Sequence, residues 1–319
     1  MKPSNRSNRW VAGLAALVAA WALVSCGGGG GGSGSSVAPQ PPPAAISQPG
    51  APVATGNVAT DGRNWINFRR GQIGIVSLAQ NAQIDRAAQA HSDYQKLNNV
   101  VSHDETAGKP GFTGVGPQER LAAAGYTFAS GNRAYGEVIS ASTNGTGFGM
   151  AEELITAIYH RFAIFEPQFK EIGTGSAITG AGYTYFTSDF TANNGFGPGI
   201  GRGVLVNWPY DGQTQVTRNF FSDSEAPDPV AGMNEVGYPV SVQGDITAVL
   251  TVQTFTIQPR GGMPLDVRLL QHATDPETPD SAAAIIPLAP LRAGTTYDVT
   301  FVGSADAIPV TKRWAFTTN

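Results

Sequence analysis

The chain has 319 residues, a net charge of −4 and only 14% charged side chains. No basic run or patch marks a nucleic-acid partner. A single cysteine, Cys26, excludes an internal disulfide and a Cys-ligated zinc site in the folded part, so five Trp and fifteen Phe must supply the core.

Lys2, Arg6 and Arg9 precede an apolar stretch from Trp10 to Val24 that is too short to span a membrane comfortably. It ends in Leu23-Val24-Ser25-Cys26, which resembles a bacterial lipobox. Residues 1–26 are therefore expected to be a lipoprotein signal peptide, cleaved before Cys26. Acylation of Cys26, palmitate included, would then hold the protein to a membrane. Gly27 follows the cysteine where an Asp would favour inner-membrane retention. The expected address is the cell envelope, on the outer membrane of a Gram-negative bacterium. Residues 27–55 are rich in Gly, Ser, Pro and Ala and read as a linker, flexible over Gly27–Gly32 and stiffened by Pro41–Pro43.

Residues 56–202 read as an α/β domain. Helical spacing predicts a helix over 61–71 with Trp65 and Phe68 inward, and another over 81–98. On the second, Ile84, Ala87, Ala88, His91 and Tyr94 share one stripe. Pro117 opens a short helix that Gly125 stops. Tyr135 to Ile139 is strand-like. A helix is predicted over 150–162, followed by strands over 171–177 and 183–190. An Asn- and Gly-rich stretch near 191–203 marks a boundary. Beyond it, 203–319 loses helical periodicity and alternates as strands do, at Thr296–Phe301 and at Trp314/Phe316. Between Leu250/Val252 and Phe255/Ile257 the apolar parity switches, which predicts a bulge. This segment reads as an all-β, immunoglobulin-like β-sandwich without paired cysteines.

Three of the four histidines lie between 91 and 160, among acidic residues. His91 falls on the apolar stripe of its helix, as a hydrogen-bonded core histidine would. His103 follows that helix in a polar loop beside Asp104 and Glu105. Glu137 stands in Tyr135-Gly136-Glu137-Val138-Ile139, where apolar neighbours favour burial against a partner. At ~100° per residue His160 lies opposite the stripe of Leu154, Ile155, Ile158 and Phe162. Glu153 shares its side of that helix but is ~10.5 Å away along the axis, too far for a direct bond. His272 reads as a loop residue. Asp223, Glu225 and Asp228 are acidic neighbours, but nothing fixes their spacing to a known calcium loop.

The order Ala90-His91-Ser92, Ser102-His103, Pro117–Arg120 with Ala124-Gly125-Tyr126, Gly136-Glu137-Val138-Ile139, His160-Arg161 and Phe169–Gly175 resembles the bacterial branch of the CAP superfamily. These are the cysteine-rich secretory, antigen 5 and pathogenesis-related 1 proteins, or SCP domains. The likeness covers about 60–195. It implies an α-β-α sandwich with a central cleft, which in the family usually carries two His and two Glu. By motif His103 matches the first His, Glu137 the Glu of Gly-Glu-Asn-Ile, and His160 the second His. The chain departs from the pattern at Val138, where the family has Asn, and lacks the usual Trp before His160. The second Glu has no clear match; Glu105 and Glu153 are weak substitutes.

His103, His160 and Glu137 on one cleft would suit a divalent cation such as Zn2+, or would orient water for hydrolysis. No Gly-x-Ser-x-Gly elbow and no His-Glu-x-x-His helix is present. Three functions remain open at this point. One is an envelope binding protein for a lipid, glycan or protein ligand, another a periplasmic or cell-wall hydrolase, and the third a structural envelope protein.

Overall fold

A computed structural model describes residues 48–319. The signal segment, Cys26 and linker residues 27–47 lie outside the described residues. Among the described residues no helix is long and apolar enough to cross a membrane.

Helix α1 (Val58–Gln72) is capped by Asn57, whose side chain accepts the Thr60 N–H. Trp65 is buried and Phe68 half-buried. A two-residue strand β1 (Ala79–Gln80) leads into α2 (Ala82–Asn98). Asn81 caps α2, and Asn99 ends it in the left-handed region at φ 52°. Next come α3 (Pro117–Ala123), β2 (Ala134–Ser142), α4 (Gly147–Thr156), α5 (Ile158–Ile164), β3 (Glu171–Ile178) and β4 (Thr184–Ala192).

The first sheet has the order β1-β3-β4-β2, with β1 parallel to β3 and the other pairs antiparallel. Strand alternation separates its two faces. Ile172, Phe186, Phe190 and Val138 point into the core shared with α1 and α4. Thr187, Asp189 and Glu137 point to the α2–α3 side. Gly173 and Gly175 let α2 lie directly on β3: a Cβ at either position would stand 2.2 Å from α2 backbone atoms. Helices thus cover both faces, as the α-β-α expectation required.

The helix predicted over 150–162 is two helices. Ala157 is extended (φ −68°, ψ 120°), ending α4 and starting α5. Arg161 is fully buried at this break and donates to the Ile155 and Thr156 carbonyls, the orphan acceptors at the end of α4.

The remainder is β-rich: β5 (Val206–Trp208), β6 (Gln213–Val216), β7 (Asn219–Phe221), β8 (Glu235–Gly237), β9 (Val240–Gln243), β10 (Leu250–Pro259), β11 (Val267–Gln271), β12 (Ala282–Pro287), β13 (Thr296–Ala305) and β14 (Ile308–Thr318). They form four-stranded sheets of order β10-β13-β14-β6 and β11-β12-β9-β5, plus the pair β7-β8. The register of β10 shifts between Val252 and Thr254, where the parity switch predicted a bulge. Phe255, Ile257, Tyr297, Val299 and Trp314 meet Val240, Val242, Ala283 and Ile285 in one core.

Strand β12 is buried along its whole length. Ala283 and Ile285 face that core, whereas Ala282, Ala284 and Ile286 pack with Ile158 and Phe162 of α5. The sheet containing β12 is thus covered on its second face by the N-terminal segment. The main apolar cluster is also continuous across the chain, from Trp65 and Leu154 to Trp208 and Tyr297. Arg69 lies between the Trp65 and Trp208 rings (4.7 and 5.2 Å) and pairs with Glu152 at 2.8 Å.

Candidate functional site

The α2–α3 side of the first sheet gathers a buried charged group. Glu137, on β2, has a side chain only 1% exposed. One carboxylate oxygen accepts from His103 Nδ1 at 2.8 Å, and the other from Arg120 Nη2. Arg120 comes from α3, and its other terminal nitrogen donates to the carbonyls of His103 (2.8 Å) and Val115 (3.2 Å). One guanidinium therefore holds both the carboxylate and the loop that carries the histidine. Burial opposes charge on Glu137. Arg120, then His91 and His103, outweigh it and hold the carboxyl far below its usual range. Arg120 is likewise buried, yet Glu137, Asp189 and Glu105 raise its pKa.

Donation from Nδ1 leaves His103 Nε2 without a protein partner among the described residues, on a side chain 39% exposed. This is an oriented imidazole with one nitrogen presented outward.

Behind it lies a second pair. His91 is fully buried; Nδ1 meets Glu105 Oε1 at 2.9 Å and Nε2 meets the Ser102 carbonyl at 2.8 Å. Both ring nitrogens thus face oxygen acceptors, which fixes the ring orientation. Glu105 also accepts the Thr113 N–H at 2.6 Å. Burial pulls its pKa up, but the bonds from His91 and Thr113 prevail and lower it. The pair ties the 102–113 loop to α2.

Asp189, on β4, is the register partner of Glu137. It is buried, and among the described residues neither carboxyl oxygen has a hydrogen-bond partner. Burial, then the charge of Glu137, raises its pKa well above the ordinary aspartate range, against the pull of Arg120. Nothing in the sequence near Thr187-Ser188-Asp189 singled it out; only strand pairing places it beside Glu137.

His160 is elsewhere. It lies in the first turn of α5, and its Nδ1 bonds Glu225 Oε1 at 2.9 Å. Glu225 also accepts the backbone N–H groups of Ile158 (2.8 Å), Tyr159 (2.7 Å) and His160 (3.2 Å). The structure therefore joins His103 with Glu137, and His91 with Glu105, but does not bring His160 to them. The three-residue cleft was expected from the motif match, with helix geometry turning His160 away from the apolar stripe. The break at Ala157 opens α5 to a carboxylate from the C-terminal segment instead. Glu153 takes bonds from Ser140, Ser142 and Asn144 at the β2–α4 corner. His272 Nδ1 meets the Thr278 carbonyl. Asp228 accepts the Val230 N–H two residues on, a local turn bond.

Among the described residues no group of three or more His, Cys, Asp or Glu is placed to hold a metal ion. Both oxygens of Glu137 are taken by Arg120 and His103, which leaves His103 Nε2 as a single donor. That set does not fit a resident zinc, which takes three or four protein ligands. Among the described residues no Ser or Thr hydroxyl is hydrogen-bonded to His103 or His160.

Residues 64–190 match the family model of CAP, the cysteine-rich secretory protein family, and this segment is a CAP domain. Solved structures with similarity include an extracellular SCP-domain protein from Bacillus anthracis str. Ames (23% identity, TM-score 0.35), with 42% of this chain and 39% of that protein covered. An outer surface protein from Borrelia burgdorferi aligns at 14% identity over 41% of this chain and 90% of its own, with a TM-score of 0.34. Schistosoma mansoni venom allergen-like protein 4 aligns at 11% identity over 45% and 92%, with a TM-score of 0.30. No curated protein matches the chain.

Proposed function

We propose that the protein is an exported, lipid-anchored binding protein of the cell envelope, whose CAP domain engages a ligand through His103. The observation that carries this reading is an exposed imidazole on a buried Glu137–Arg120 support. With Nδ1 given to Glu137, His103 presents Nε2 to a polar group that can donate or accept, as a hydroxyl does. Glycan hydroxyls are therefore the preferred ligand groups, ahead of lipid or protein. The rigid support lowers the ordering cost of binding. The unaccompanied histidine, with no bonded hydroxyl, favours binding over hydrolysis.

The anchor is the acylated Cys26 expected from the lipobox, with outer-membrane residence following from Gly27. In this reading 203–319 is an immunoglobulin-like unit that supports the CAP domain. Co-sedimentation tests the function: the residue 48–319 protein is mixed with purified peptidoglycan sacculi or phospholipid vesicles. Retention on sacculi is expected, lost in His103→Ala and kept in His160→Ala. Absence of retention, or equal retention of the His103→Ala protein, contradicts the reading.

A further inference from the structure

We propose that the C-terminal β segment sets the geometry of the His103 site through α5, with Glu225 as the positioning residue.

Helix α5 has no cap of its own. Its N-cap position is Ala157, which has no side-chain acceptor and is itself the break from α4. Its first-turn N–H groups would be orphaned without another partner. Glu225, with a side chain 0% exposed, supplies that partner through bonds to three successive N–H groups and to the His160 ring. Further ties reach α5 from the same segment. Arg161 donates to the Pro239 carbonyl at 2.7 Å and lies over the Tyr238 ring at 5.1 Å. Gln243 donates to the Phe162 carbonyl at 2.8 Å. Ile158 and Phe162 pack among Leu270, Ala284 and Ile286.

The opposite side of α5 abuts the strand that carries the site. Gly136 immediately precedes Glu137, and a Cβ built on it would lie 3.8 Å from Ala163 of α5 and 3.3 Å from Phe169. Close packing transmits small displacements. A shift of α5 therefore bears on Gly136 and then on the Glu137 carboxylate that holds His103. The continuous route is Glu225, α5, Gly136, Glu137, His103, and spatial continuity alone leaves the coupling to be measured. The inference rests on the reading of His103 as the working group only for its functional meaning.

The test needs no ligand, so its failure is separate from failure of the binding reading. The His103 imidazole resonances are recorded by NMR, with thermal melts, in wild type, Glu225→Ala, Glu225→Gln and Ile257→Ala. Ile257 is buried in the β10 sheet and serves as a control for stability loss alone. Glu225→Ala is expected to shift the His103 signals and their titration midpoint. Glu225→Gln, which keeps an oxygen acceptor, is expected to shift them less and in the same direction, and it remains informative if Glu225→Ala does not fold. Ile257→Ala should lower Tm and leave His103 unmoved. Unmoved His103 signals in the folded Glu225 variants, or equal movement in Ile257→Ala, overturn the proposal.

Discussion

At the residue scale the site rests on Arg120. Its guanidinium is buried, neutralises Glu137 and holds the His103 backbone. Removing one partner of a buried pair leaves the other uncompensated, which costs about 3–5 kcal/mol. Arg120→Met is expected to lose that much in urea unfolding; a loss below about 1 kcal/mol, the range of an exposed pair, contradicts a buried one. Asp189 gives a second prediction. Its folded pKa is raised, so the folded state keeps a proton that the unfolded chain releases. That makes stability fall as pH rises above the ordinary aspartate range. Asp189→Asn removes this penalty and is expected to raise Tm at pH 7–8, with the gain shrinking toward pH 4. A Tm lowered at pH 7 by Asp189→Asn shows instead that the residue is ionised. His103 and Glu137 were legible from motif order, and His91 from its place on an apolar stripe. Asp189 was not, because its role arises from cross-strand register, and Glu225 read only as one of three acidic neighbours without a recognised spacing.

At the element scale, glycine decides how closely α2 packs. Gly173 and Gly175 face α2 backbone, and a Cβ on either demands that a whole helix move. Overpacking typically costs about 1–3 kcal/mol, and backbone contact puts Gly175→Ala at the upper end or beyond. Chemical denaturation measures it; a change within about 0.5 kcal/mol, the size of a neutral surface substitution, argues against the close approach. The helices α1, α2 and α3 were legible because helical spacing, Pro117 and Gly125 agree with the tertiary structure. The division of α4 from α5 was not. Ala157 carries no breaking signal, and the stripe of Leu154, Ile155, Ile158 and Phe162 continues across it. The break is stabilised by Arg161 and Glu225, one of them sixty-odd residues away in sequence. Strand β1 was missed because two residues are too few for alternation to register.

At the scale of the whole molecule, the CAP domain and the β-rich segment share a hydrophobic cluster, with Arg69 and Trp208 at the seam. Cooperative units follow buried contacts, so calorimetry is expected to show one unfolding transition. Two well-separated transitions contradict the shared core. Glu166 adds a pH signature. It is fully enclosed, and burial, with a smaller contribution from Asp245, pushes its carboxyl up to about 8 despite bonding from Gln168 and attraction by Arg70. Its folded pKa exceeds the ordinary 4.5, so stability declines as pH rises from 4.5 to about 8 and then levels. Glu166→Gln should flatten that decline, and an unchanged slope contradicts a neutral Glu166. The β character of 203–319 was readable from alternation. Burial of β12 on both faces was not, since an all-apolar run names no partner.

The most direct test of His103 as the ligand-binding group uses the four histidines as reporters. Their imidazole resonances are followed by NMR while solubilised peptidoglycan fragments are added to the residue 48–319 protein. His103 signals are predicted to move in a saturable manner, while those of buried His91, Glu225-bound His160 and distant His272 stay in place. Saturable movement of His160 or His272 without His103, or no movement of any histidine, contradicts the account.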